Sequence, residues 1–200
     1  MRKHLRSCLK PLTVPLMLGL TQPANAHEKD LRGRTDAAGL TEISFCARPS
    51  PNAFGFPGHA FVAFSDQGAH ASPGFRAVGH TVAGGVGAPA AIVTYFGGGS
   101  VAGQQAEERY SHLKQGCLTL KVDRDTYHRA IEAARPTLSA LGIPDDLAAS
   151  AERYSLSGND CMDFIIKVAQ PLKSVGLSAP PRTATDTPLR YIQKMIATNP

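Results

Sequence analysis

Two residues that together can perform thiol chemistry stand about a hundred positions apart in this chain of 200 residues. Cys161 follows the polar run 157–160 and opens the apolar, helix-like run 161–169. Asn159 or Asp160 can serve as N-cap, which places the sulfur in the first helical turn, where free N–H groups favour a thiolate. His59 lies in a predicted strand over 59–65 and can supply a base. A thiol at a helix start and a strand histidine predict nucleophilic catalysis.

Two simpler interpretations stand beside this one. A cysteine at a helix start is more often a small buried apolar residue than a nucleophile. His59, between Gly58 and Ala60, can equally be a core histidine with a satisfied ring. The carboxylates of Asp160 and Asp163 also oppose a thiolate at Cys161, which argues against strong activation.

The elements that must position these residues follow from hydrophobic periodicity. Strands are predicted at 41–48, 59–65 and 117–122, with short strands at 69–72 and 77–82 and a further one at 90–96. We expect a loop at 97–104 and a polar helix at 104–114. Further helices are predicted at 125–141, 161–169 and 189–197, and Pro136 should kink or divide the helix at 125–141. Residues 173–188, rich in Pro, Ser and Thr, form the predicted C-terminal strap. The pattern indicates an α+β fold with one small antiparallel sheet and helices on one side.

Two short motifs, in this order, carry a resemblance to a known family. The strand Gly58-His59-Ala60-Phe61-Val62 and the later helix start Asn159-Asp160-Cys161-Met162-Asp163-Phe164 resemble circularly permuted NlpC/P60 cysteine hydrolases. These are papain-like proteins, distantly similar to lecithin:retinol acyltransferase-like enzymes, whose histidine strand precedes the cysteine helix. The resemblance covers roughly residues 41–177 and implies a permuted papain-like architecture within a single domain over 41–200.

The resemblance also implies roles for individual residues. Cys161 would be the nucleophile and His59 the general base, with a third polar residue orienting the imidazole. His70 is the best match, because a turn at 66–68 would form a hairpin that brings it beside His59; His80 is the alternative. The N–H of Cys161, with Asn159 or Tyr154 nearby, would hold the oxyanion.

The implied reaction is acyl transfer through an acyl-enzyme that water releases. The resemblance implies an amide or peptide bond of peptidoglycan as the substrate, although an acyltransferase or thioesterase of the same fold would use the same residues. A non-catalytic domain of this fold, binding cell-wall fragments, lipid or a partner protein, is the alternative of a different class.

The first 26 residues have the pattern of a secretory signal peptide. Basic residues at 2–10 precede the apolar stretch 14–20, and Ala24-Asn25-Ala26 offers a small-x-small cleavage site. The alternative is a disordered N-terminal arm. We expect a periplasmic or secreted protein with a polar, flexible leader at 27–40. We expect no stable membrane insertion, because no other run approaches the roughly 18 apolar residues of a membrane helix.

Removal of a signal peptide leaves Cys46, Cys117 and Cys161 in the chain. Strand alternation turns Cys46 and Cys117 away from the apolar sides of their strands, so a disulfide between them is plausible in an oxidising compartment. Cys161 would then be the free thiol. Three unpaired cysteines in a reducing setting are the alternative.

Charge argues against a nucleic-acid partner. The whole chain carries a formal charge of +5, but residues 1–26 hold four of its 21 Lys and Arg and no acids, so 17 basic residues face 16 acidic ones in the remainder. No basic run interleaved with aromatic residues remains. We expect no cofactor, and no metal, since neither His-x-x-x-His nor Cys-x-x-Cys spacing is present.

Overall fold

A computed structural model describes residues 25–33, 41–51, 58–77, 99–135 and 152–200. These residues form eight strands and three α-helices, in the order β1 to β7, α1, β8, α2 and α3. The mixture of sheets and helices confirms an α+β protein. The predicted strand 90–96, residues 136–141, His80 and residues 1–24 lie outside the described part of the chain.

The larger sheet has the strand order β1-β7-β2-β3-β4. Its members are β1 (Asn25–Asp30), β2 (Thr41–Arg48), β3 (His59–Asp66), β4 (Ala69–Ala71) and β7 (Gly116–Val122). The pairs β7–β2, β2–β3 and β3–β4 are antiparallel, as predicted, but β1 pairs with β7 in parallel. The sheet is therefore mixed rather than wholly antiparallel.

Strand alternation gives the central strands two different faces. One face is apolar and packs under the helices, which buries Ile43, Phe45, Ala47, Ala60, Val62, Phe64, Leu118, Leu120 and Val122. The opposite face holds a small separate cluster of Cys46, Phe61 and Cys117. Cys46 is paired in register with Cys117, and the two form a disulfide. The predicted bridge is confirmed, and among the described cysteines only Cys161 is free.

A second, three-stranded sheet corrects the expectation of a single sheet. It consists of β5 (Pro73–Ala77), β6 (Val101–Glu107) and β8 (Arg153–Tyr154), in the order β5-β6-β8. The helix predicted at 104–114 is wrong, because residues up to 107 belong to β6 and only a 3-10 turn, Ser111–Leu113, follows. Pairing with β5 overrides the helix preference of this Gln- and Glu-rich segment.

The helices begin where the sequence offers capping residues. Helix α1 (Arg124–Ala134) starts after Asp123, whose side chain accepts a hydrogen bond from Thr126 N at 2.6 Å. Helix α2 (Cys161–Ala169) has the predicted bounds and runs into a 3-10 helix, Gln170–Val175. Helix α3 (Pro188–Ala197) starts after Thr187 with proline in its first turn.

The helices cover one face of the larger sheet. Helix α3 packs on β2, β3 and β7, and α2 packs on β3 and β5, while α1 lies against α2. Tyr191, Ile192 and Met195 of α3 are fully buried. This packing fixes α2, and so its first residue Cys161, against the sheet.

The expected flexible leader is wrong for its first residues, since β1 includes residues 27–30. Parallel pairing with β7 satisfies the backbone groups along one edge of β1, and residues near the C-terminus contact the strand. His27 Nε2 lies 2.7 Å from the carbonyl oxygen of Asn199, a fully buried residue whose amide donates to the carbonyl oxygens of Ser178 and Met195. Residues 34–40 lie outside the described part.

Within the described residues, no helix is long and apolar enough to cross a lipid bilayer.

Candidate active site

Cys161 is the first residue of α2, in the turn where the sequence predicted a thiol. Asp160 is the N-cap: its Oδ1 accepts hydrogen bonds from Met162 N at 2.8 Å and from Asp163 N at 3.2 Å. Asp163 Oδ2 in turn accepts from Asp160 N at 3.2 Å, which completes a capping box. The box fixes the helix start and therefore the backbone that carries the thiol.

The sulfur of Cys161 is enclosed by protein. The residue is 3% exposed, the backbone N–H of Ala60 is close enough to favour the thiolate, and the Tyr154 hydroxyl lies beside the sulfur. Burial raises the pKa of the thiol to about 12, and the carboxylate of Asp160 adds to the rise. Cys161 is therefore a neutral thiol at neutral pH.

His59, the first residue of β3, belongs to a buried ionic cluster. Its Nε2 lies 3.4 Å from Oε2 of Glu108, a residue that follows β6. Arg48, the partner of His59 in the β2–β3 register, binds the same carboxylate. Its Nε lies 2.9 Å from Oε1, and its Nη2 donates a hydrogen bond of 3.0 Å to Oε2. Tyr110 adds a backbone N–H to Oε1 at 2.8 Å and places its ring against the Arg48 guanidinium.

This cluster leaves the imidazole neutral. Burial lowers the pKa of His59 to about 4, although the negative charge of Glu108 opposes the change. Burial also works to raise the pKa of Glu108, but the hydrogen bonds from Arg48 and Tyr110 outweigh it and hold that pKa below its usual value. An ionised Glu108 beside Nε2 favours the tautomer with the proton on Nε2, since a carboxylate only accepts. Nδ1 is then the unprotonated nitrogen.

Gly74 of β5 makes room for the imidazole. A Cβ at this position would lie 2.6 Å from His59 Nε2, a separation at which either the ring or the strand must move. Any residue larger than glycine would therefore disturb the contact between His59 and Glu108.

The two predicted catalytic side chains both lie near the start of β3, but they are on different faces of the strand and are not hydrogen-bonded. The N–H that favours the Cys161 thiolate belongs to Ala60, the residue next to His59. Strand alternation directs the imidazole to the face of Arg48, while Cys161 belongs to the core on the helix face. Among the hydrogen bonds of the described residues, none joins the Cys161 sulfur to the imidazole.

His70 does not stand beside His59. The predicted hairpin exists, with its turn at Gln67-Gly68, but the register pairs His70 with Ser65, close to the turn. Ser65 lies six positions after His59, which is about 20 Å along the strand. His70 is also exposed. Because the turn contains only two residues, His70 pairs near the turn and does not extend back along β3 to His59. The alternative, His80, lies outside the described residues.

Glu108 occupies the place that the sequence analysis assigned to His70. The residue was missed because 104–114 read as an exposed polar helix, in which a glutamate carries no information. Its burial to 8% exposure results from the β5–β6 pairing and the Arg48 contact, both of which join distant parts of the chain.

The two predicted oxyanion residues differ in placement. Tyr154 is buried beside the sulfur, and burial raises its pKa, so its hydroxyl stays protonated and able to donate. Asn159 instead donates its side-chain amide to the carbonyl oxygen of Arg153 at 2.5 Å, and its backbone pairs with Ser155. Asn159 therefore shapes the loop before α2, and of these two residues Tyr154 is the one whose side chain lies beside the thiol.

No group of three or more His, Cys, Asp or Glu side chains in the described ranges is arranged to hold a metal ion. Comparison with known protein families, with curated proteins and with solved structures found no match.

Proposed function

We propose that the protein is an exported cysteine hydrolase that cleaves an amide or peptide bond, with peptidoglycan as the substrate class. Cys161 is the nucleophile, His59 the general base, and Glu108 the residue that orients the imidazole. The observation that carries the proposal is the buried Glu108–His59 contact next to Ala60, whose N–H serves the Cys161 sulfur.

The reaction begins with a neutral pair. The proposal requires substrate binding to bring His59 Nδ1 and the thiol, which are not hydrogen-bonded in this structure, within hydrogen-bond distance of each other. Nδ1 then takes the thiol proton as the sulfur attacks the substrate carbonyl carbon, and Glu108 balances the positive charge that forms on the imidazole. The carbonyl oxygen becomes an oxyanion near the backbone N–H of Cys161 and the Tyr154 hydroxyl, because the N–H groups of Met162 and Asp163 already donate to Asp160. The protonated imidazole then gives its proton to the leaving amine, and the acyl group remains on sulfur until water, deprotonated by His59, releases it as a carboxylate.

Export is supported by two features of different origin. The basic head, apolar stretch and Ala24-Asn25-Ala26 of the first 26 residues have the signal-peptide pattern. The Cys46–Cys117 disulfide fits an oxidising compartment such as the periplasm or the extracellular space. Peptidoglycan is a substrate that such a protein would meet there.

The proposal is tested by incubating the purified protein, disulfide intact, with muropeptides and following newly released amino groups. We expect Cys161→Ala and His59→Ala each to abolish release, because one lacks the nucleophile and the other the base. His70→Ala is the matched control: it removes an exposed histidine about 20 Å along the same hairpin and should leave the rate unchanged. Full hydrolysis by Cys161→Ala would overturn the proposal.

A second candidate function is a non-catalytic domain of similar architecture that binds cell-wall fragments. It is favoured by one observation, the enclosure of Cys161 together with the raised pKa of its thiol. In that case insoluble peptidoglycan would pull down wild type and Cys161→Ala equally. Neither protein would release amino groups from muropeptides.

A further inference from the structure

Two carboxylates flank Cys161 in sequence and in space. Asp160, fully buried, precedes it, and Asp163 lies two residues after it in the capping box. Each negative charge raises the free energy of a thiolate at Cys161. A thiol that must lose its proton during catalysis needs a compensating positive charge close to this pair.

Arg182 of the C-terminal strap supplies that charge. Its Nη1 donates to Asp160 Oδ1 at 3.0 Å and to Asp163 Oδ2 at 2.6 Å. Its Nη2 donates to Asp160 Oδ2 at 2.7 Å and to the carbonyl oxygen of Leu156 at 2.8 Å. The planar guanidinium thus bridges both acids and the loop that leads into α2, a geometry that lysine cannot reproduce.

The strap itself is held so that Arg182 stays in place. The Tyr191 hydroxyl of α3 donates to the carbonyl oxygen of Pro180 at 3.0 Å, and Thr183 N donates to Asp186 at 2.8 Å. Lys194 of α3 binds the same Asp186. These contacts anchor the residues on both sides of Arg182 to a helix that is packed in the core.

We propose that Arg182 is a positioning residue for Cys161, which offsets the charges of Asp160 and Asp163 and fixes the loop before α2 so that the thiol can be deprotonated. This inference rests on the proposed function. Under this inference the C-terminal strap contributes to the proposed reaction through Arg182.

The titratable and charged groups around the sulfur come from several elements. Tyr154 approaches from β8, His59 lies beside Ala60 in β3, Asp160 and Asp163 belong to the capping box, and Arg182 reaches in from the strap. Of these, the Asp160 carboxylate disfavours a thiolate, whereas Arg182 and the Ala60 N–H favour it.

The test is the rate at which iodoacetamide, a neutral probe, alkylates Cys161 in the disulfide-intact protein between pH 7 and pH 10. Cys161→Ala establishes that the label is on this thiol. We expect Arg182→Gln to be alkylated about tenfold more slowly than wild type, since each 1.36 kcal/mol lost by the thiolate lowers its population tenfold. Arg182→Lys, which keeps the charge, should remain within about threefold of wild type.

The sign of the change separates a charge effect from loosening of the fold. A variant that only destabilises the structure exposes the buried thiol more often and is alkylated faster. The double variant Asp160→Asn/Arg182→Gln removes one charge of each sign and keeps an N-capping side chain, so its rate should return to within about threefold of wild type.

Alkylation of Arg182→Gln at or above the wild-type rate would overturn the inference, as would a double variant as slow as Arg182→Gln. The muropeptide assay reports separately on the proposed function. Slower alkylation of Arg182→Gln in a protein that releases no amino groups would support the charge role and remove the hydrolase proposal.

Discussion

At the scale of single residues, the carboxylate of Glu108 lies between a permanently charged group, Arg48, and a titratable one, His59. This carboxylate neutralises Arg48 and also faces His59 Nε2, so it sets both the charge and the tautomer of the buried cluster. Asn or Gln in this place could still accept a hydrogen bond from Nε2 but could not stabilise an imidazolium. In the proposed hydrolase the orienting group is therefore a charged one.

We predict that Glu108→Gln lowers kcat/KM for muropeptide hydrolysis by about 10²-fold, because the imidazolium that forms during thiol deprotonation loses its counter-charge. Glu107→Gln is the matched control. Glu107 accepts a hydrogen bond from Ser72 N at 2.7 Å, which an amide oxygen can also accept, and it should retain the wild-type rate. Equal rates for wild type and Glu108→Gln would exclude Glu108 from catalysis.

At the scale of elements, a disulfide cross-links two strands of the larger sheet. It joins the neighbouring strands β2 and β7 at a directly paired position, across 71 residues of sequence. Cross-linking over so long a loop restricts the unfolded chain much more than the folded one.

We predict that Cys46→Ala/Cys117→Ala lowers the free energy of unfolding by about 4 kcal/mol, the chain-entropy value for a loop of this length. Equilibrium denaturation with a chemical denaturant measures the change. Reductant should destabilise the wild type by a similar amount and leave the double variant unaffected. A double variant as stable as the oxidised wild type would contradict the expectation.

Elements with a strong local pattern were predictable from the sequence, and elements defined by distant partners were not. Strand β2, strand β3 and helix α2 have predicted and observed bounds within one residue, because alternation, apolar periodicity and capping are written into their own residues. Strand β6 escaped prediction, since only β5 and β8 make it a strand.

The same distinction applies to the site. Cys161 and His59 could be proposed from the sequence because each stands in an informative local setting, a helix start and an apolar strand. Glu108 and Arg182 were not, because their importance comes from contacts over 49 and 22 residues of sequence, to His59 and to Asp160. A residue that acts through a long-range contact leaves little trace in its own neighbourhood.

At the scale of the whole molecule, the buried His59 links stability to pH. Its pKa is about 4 in the folded protein and about 6.5 when unfolded, so the unfolded state binds more protons between these values. The resulting contribution, about 3 kcal/mol, is fully present above pH 6.5 and is lost as the pH falls towards 4. Asp160 acts in the opposite direction, because burial raises its pKa to about 6 and favours folding at low pH.

We predict that His59→Gln removes the acid-side loss that belongs to His59. The difference in free energy of unfolding between wild type and variant should shrink by about 3 kcal/mol as the pH falls from 7 to 4. Denaturant titrations at fixed pH intervals measure it, and subtraction cancels the opposing contribution of Asp160. A difference that does not vary with pH would show that His59 titrates normally in the folded protein.

The order of the cysteines along the chain has a consequence for oxidative folding. The three cysteines of the described residues allow three different pairings, but Cys46 and Cys117 precede Cys161, and the native pair is made of the first two. A chain that enters an oxidising compartment from its N-terminal end can close this pair before the third thiol arrives. Translocation from the N-terminus would thus select the correct bridge by timing alone, and Cys161 would emerge with no partner left to capture it.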